Sequence, residues 1–76
     1  MVEVFKTNVK EYEHAEKLVY HIHQYLDGYK ANFDLDDCDR ILRIEYAGGI
    51  IEPLLVVDLV KNSGFIAEVL SDEHNL

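Results

Sequence analysis

The side chains of this chain most able to hold a metal or move a proton are its histidines, its single cysteine and a run of aspartates. His14, His21 and His23 lie within one stretch of helical spacing, which limits what they can do together. Residues two apart on a helix point about 200° away from each other, so His21 and His23 cannot share an ion. His14 and His21 lie along one edge, but seven residues at a rise of 1.5 Å set them about 10.5 Å apart, with Lys17 and Leu18 between. Glu11 and His14, an i, i+3 pair, can face one borderline ion such as Zn or Ni, although two ligands make a weak site and such pairs are common on solvated helix faces. Asp34, Asp36, Asp37 and Asp39 present oxygens at alternating positions, as a calcium loop does at its start. The position that requires Gly in such a loop holds Asp39, and the residues that follow read as strand, so the plainer expectation is a turn. Cys38 sits between Asp37 and Asp39, where negative charge makes a poor nucleophile, and a lone cysteine forms no internal disulfide. No catalytic triad is suggested, and Gly48-Gly49 has too few glycines for a phosphate-cradling loop.

The elements that must position these groups follow from periodicity. Residues 2–9 are rich in β-formers (Val2, Val4, Phe5, Thr7, Val9) and predict a first strand. From Glu11 the spacing turns helical, with Ala15, Leu18, Val19, Ile22, Tyr25 and Leu26 as one apolar stripe and Asp27-Gly28 as the stop, which predicts a helix over 11–26. Residues 29–35 and 41–46 alternate apolar and polar side chains and predict two half-buried strands joined by the aspartate-rich turn. Pro53 suits the first turn of a second helix and Gly64 the left-handed position beyond its end, so 54–63 reads as helix despite Val56, Val57 and Val60. A last strand over 65–70 and a polar tail over 71–76 complete the chain. The order strand, helix, strand, strand, helix, strand predicts a ferredoxin-like α+β fold, an antiparallel four-stranded sheet with both helices on one face, as a single domain over 1–70.

Composition narrows the function. Seventy-six residues make one small core and leave little room for a deep catalytic cleft, so no enzyme activity and no cofactor are expected. With 7 basic against 15 acidic side chains the net charge is −8, which offers no footprint for nucleic acid or for an anionic membrane. The apolar stretches are too short to span a bilayer, Met1 is followed by charged Glu3 and Lys6, and a single Cys fits a reducing compartment, so the expected location is the cytoplasm.

The run Pro53-Leu54-Leu55-Val56-Val57-Asp58-Leu59-Val60-Lys61-Asn62-Ser63-Gly64-Phe65, closing a βαββαβ order, resembles the heavy-metal-associated domain of copper chaperones and metal-pumping ATPases. The resemblance implies a Cys-x-x-Cys metal pair before helix one. With Ala15, Leu18, Val19 and Ile22 as the helix stripe, those positions fall at Asn8 and Glu11, and the Met that usually precedes the pair falls at Lys6. Cu(I) and thiolate-bound Zn select soft ligands, which none of these residues supplies. The regulatory ligand-binding domains of the same element order bind small molecules between paired copies, beside a glycine-rich turn after strand one; Asn8-Val9-Lys10-Glu11 contains no glycine.

Helix two carries apolar surface beyond what the fold requires. At 100° per residue Val56, Leu59, Val60 and Ser63 share the sheet-facing side, which leaves Leu54 and Val57 beside Asp58 and Lys61 on the other. The expectation is therefore a non-catalytic interaction module, with Leu54 and Val57 meeting a protein partner or a second copy in a homodimer. The alternative is weak binding of a hard or borderline metal, or of a small ligand, at the loop that holds Glu11 and His14.

Overall fold

The computed structural model describes residues 1–70, so the tail at 71–76 lies outside the described residues. Six elements follow in order: β1 (Val2–Thr7), α1 (Tyr12–Tyr25), β2 (Tyr29–Asp34), β3 (Ile41–Tyr46), α2 (Pro53–Asn62) and β4 (Ala67–Val69). The strands make one antiparallel sheet in the order β2-β3-β1-β4. This is the ferredoxin-like α+β fold that the element order predicts.

Strand alternation builds the core. Phe5 lies opposite Leu42, Ala31 opposite Ile44 and Thr7 opposite Ala67, and all six are buried. Their neighbours Lys6, Lys30, Asn32, Arg43 and Glu68 are exposed, as a pleated strand with one covered face requires. Ala15, Leu18 and Ile22 of α1 and Val56 and Val60 of α2 join the same buried cluster, so both helices close over that face.

The ends of the elements differ from expectation in ways that hydrogen bonding explains. β1 stops at Thr7, two residues early, because the Thr7 hydroxyl donates to the Arg40 carbonyl at 2.6 Å and accepts from the Val9 amide at 3.2 Å. That local bond replaces a ladder bond and turns the chain toward α1, while Val9 remains buried. Glu11 flanks α1 rather than starting it; its carbonyl accepts from the Ala15 amide at 3.0 Å. Tyr25 is 74% exposed, at the margin of the stripe instead of within it. Pro53 opens α2, and Gly64, at φ +95°, closes it: the Gly64 amide reaches the Lys61 carbonyl at 3.0 Å and the Phe65 amide reaches that of Val60 at 3.1 Å. Because the Phe65 amide is drawn back into this closure, β4 begins only at Ala67 and spans three residues.

On α2 the expected division of faces is half right. Val56 and Val60 are completely buried and Leu54 is 72% exposed, but Val57 is half-buried against the core. The covered face of α2 is thus wider than the stripe through Val56 and Val60, and it reaches Val57, which at three residues' spacing lies only about 60° around the helix from Val60. Leu55 takes its place among the exposed apolar residues, at 48%.

Truncation should separate stripe from margin. Ile22→Ala is expected to cost roughly 2–5 kcal/mol in urea unfolding, as buried aliphatics do, whereas Tyr25→Ala should stay within about 0.5 kcal/mol.

Candidate functional site

The turn from β1 into α1 is where the residues with metal-site potential converge, and backbone pairing determines what they are free to do. The Asn8 amide donates to the Ile66 carbonyl at 3.3 Å, and the Asn8 side-chain oxygen accepts from the Ile66 amide at 2.8 Å. This reciprocal pair continues the β1–β4 ladder past its last strand residues and fastens the loop to the approach of β4. Asn8 is therefore a structural bracket, with its acceptor atom already engaged.

Glu11 serves the helix through its backbone, and its exposed carboxylate makes no hydrogen bond or ion pair among the described residues. His14 is half-buried, its ring centroid 5.1 Å from that of Phe65 and tilted by 47°. Asn8, Lys10, Glu11, His14 and Phe65 wall one open hollow of about 360 Å³. The structure thus brings Asn8, Glu11 and His14 to the same hollow. Lys6 points elsewhere, to Asp39 at 3.9 Å, with both side chains well exposed; such a solvated pair contributes little.

Among the described residues the one group of three close ligand atoms is Asp37, Cys38 and Asp39, within 4.8 Å of one another; Glu11 and His14 belong to no such group. Asp37 is occupied with turn formation, since its carboxylate accepts from the Asp39 amide at 2.9 Å and its carbonyl from the Arg40 amide at 3.0 Å. Arg40, at φ +48°, completes the reversal and donates from Nη1 to the Leu35 carbonyl at 2.7 Å. The aspartate run is the turn that the sequence predicts, and Cys38 is exposed at its tip.

The other two histidines of α1 divide as helical geometry requires. His21 lies between Tyr20 and Tyr25, with ring centroids 6.0 and 6.3 Å away. It also borders an open cleft of about 460 Å³ between the helices, whose walls include Tyr25, Leu55 and Leu59. His23 points the other way, and its Nε2 accepts from the Ala31 amide of β2 at 3.1 Å. In a neutral ring that assigns the proton to Nδ1. Nothing in the spacing of the sequence marks this bond, because it joins a helix side chain to the backbone of a strand it does not follow in register.

No family model matches the chain, and no curated protein matches it. A solved structure does. The solution structure of the yeast copper transporter domain Ccc2a, described in apo and Cu(I)-loaded states, aligns with a TM-score of 0.76 over 93% of this chain and 96% of that one. At 14% identity the likeness is one of fold.

The bracket and the free carboxylate should behave differently when removed. Asn8→Ala is expected to lower stability by roughly 0.5–1.5 kcal/mol and to shift the Ile66 amide resonance. Glu11→Ala should leave the unfolding midpoint within about 0.5 kcal/mol of wild type.

Proposed function

We propose that this chain is a non-catalytic protein-interaction module, a heavy-metal-associated-like domain whose β1–α1 loop does not hold a soft metal. The observation that carries this reading is the Asn8–Ile66 bracket: at a position where the resemblance implies a thiolate, the side chain is an amide whose oxygen is used to close the fold. The other implied position is Glu11, a hard carboxylate, which suits neither Cu(I) nor a thiolate zinc site. The yeast domain with the same fold is described with Cu(I) bound. This chain offers an amide and a carboxylate at its loop, and architecture alone does not transmit activity.

The surface on which an interaction would be built is α2. Leu54 is 72% exposed and Leu55 48%, side by side on a helix whose buried face is already satisfied by Val56 and Val60. Covering each would contribute roughly 1.5–3 kcal/mol before the cost of association. Val57, half-buried, contributes at the margin of that face and not at its centre. A net charge of −8 disfavours nucleic acid and anionic lipid as partners, and no helix among the described residues is long and apolar enough to cross a membrane.

Two measurements test this reading. In competition with a chromogenic Cu(I) chelator the protein should show no affinity comparable to a dithiol site; such an affinity surviving in Cys38→Ser would defeat the argument from ligand type. If α2 pairs two copies, sedimentation should show association strengthening as the Debye length falls from about 30 Å at 0.01 M salt to about 10 Å at 0.1 M. Leu54→Asp should abolish that association and leave the far-UV circular dichroism unchanged.

A further inference from the structure

The sheet ends in two edges of unequal exposure to pairing. β4 is three residues long, too short to template another strand, but β2 runs six residues with no neighbour on its outer side among the described residues. Its outward backbone groups belong to alternate residues. The Tyr29 amide is taken by the Leu26 carbonyl at 3.1 Å and the Ala31 amide by His23 Nε2 at 3.1 Å, while the Phe33 amide has no partner among the described residues. Lys30, Asn32 and Asp34 bond inward to β3, and their side chains lie exposed on the open face of the sheet.

We propose that the outer edge of β2 is a self-pairing edge, at which β2 of a second copy takes the place of His23 as the partner of the Ala31 amide. The strand is complementary to itself when reversed. Antiparallel pairing centred on Asn32 sets Lys30 opposite the partner's Asp34 and Asp34 opposite the partner's Lys30, two cross-strand pairs of opposite charge. The same register places Ala31 opposite the partner's Phe33. Both are residues whose backbone faces outward, so they form the hydrogen-bonded pairs of the new ladder, and Asn32 meets its own copy in a non-bonded pair. A shift by one residue would bring inward-bonded groups to the edge and break the ladder, and a shift by two would lose both Lys30–Asp34 pairs. His23 is the gate, since its imidazole and an incoming strand compete for one amide. The two-fold arrangement joins two four-stranded sheets into one of eight, and it is an isologous contact that closes on itself.

This inference deepens the interaction-module reading by naming a partner, yet it uses a surface apart from Leu54 and Leu55. The test is sedimentation equilibrium of the full chain and three sets of variants, with circular dichroism as the check on folding. His23→Ala should tighten self-association at least tenfold. In that background Lys30→Asp and Asp34→Lys should each reverse the gain, and the two together should restore it, because exchanged charges still pair across the two-fold axis. The same exchange made in wild type, on exposed side chains that leave the core untouched, provides the answer if His23→Ala unfolds: each single change should weaken association and the double change should recover it. Association unchanged by His23→Ala in a folded protein, or lost in the single variants and not recovered in the double, overturns the proposal. Association that ignores β2 and disappears with Leu54→Asp also overturns it while leaving the interaction-module reading in place.

Discussion

Phe5 and Leu42 face each other across the two central strands, both without any exposed surface, and the rest of the molecule is arranged to keep them so. A sheet with one apolar face must have that face covered, and among the described residues two helices are available to cover it. Leu18 and Ile22 reach down from α1 and Val56 and Val60 from α2, and each is essentially inaccessible to solvent. The need to cross over twice on one side sets the strand order β2-β3-β1-β4 and leaves β2 and β4 at the edges. It also determines that the loop leading from β1 into α1 emerges beside the entry to β4, where Asn8 and Ile66 meet.

That meeting gives the side chains of the β1–α1 loop structural work to do. The backbone must turn sharply after Thr7 to begin α1, and a turn needs its amide and carbonyl groups satisfied. Here Thr7 and Asn8 supply the bonds from their own side chains, one to Val9 and Arg40, the other to Ile66. Each of these side-chain oxygens accepts a backbone hydrogen bond, which stabilises the turn. The nearby His14 ring packs on Phe65. Among the described residues the Glu11 carboxylate and the His14 imidazole nitrogens make no hydrogen bond, and neither is the soft ligand that Cu(I) selects.

Much of this was legible in the sequence, wherever a local rule and the tertiary context agree. The α1 stripe, the Pro53 and Gly64 brackets of α2 and the aspartate turn are each specified by residues within one or two turns of chain, and the structure follows them. The misses arise where a long-range contact decides. Val57 is half-buried because the core is wide enough to reach it, a fact about packing and not about helical phase. β4 is short because Phe65 is recruited to close α2, so the β-forming run at 65–70 is divided between two tasks. Asn8 and His23 are polar side chains whose partners, Ile66 and Ala31, lie 58 and 8 residues away. Periodicity carries no information about such bonds, although Asn within a β-rich run is a signal that a backbone group needs a partner there.

The central claim is that the β1–α1 loop is a structural clasp and not a soft-metal site, and hydrogen exchange at the Ile66 amide bears on it directly. Held by Asn8 at 2.8 Å, this exposed amide should exchange far more slowly than its exposure implies, at a rate that is the same with and without Cu(I) under reducing conditions. Exchange as fast as that of an unbonded surface amide would show that the clasp is not formed. A Cu(I)-dependent change in the exchange of Ile66, persisting in Cys38→Ser, would show that the loop takes metal after all, and either result would contradict the account.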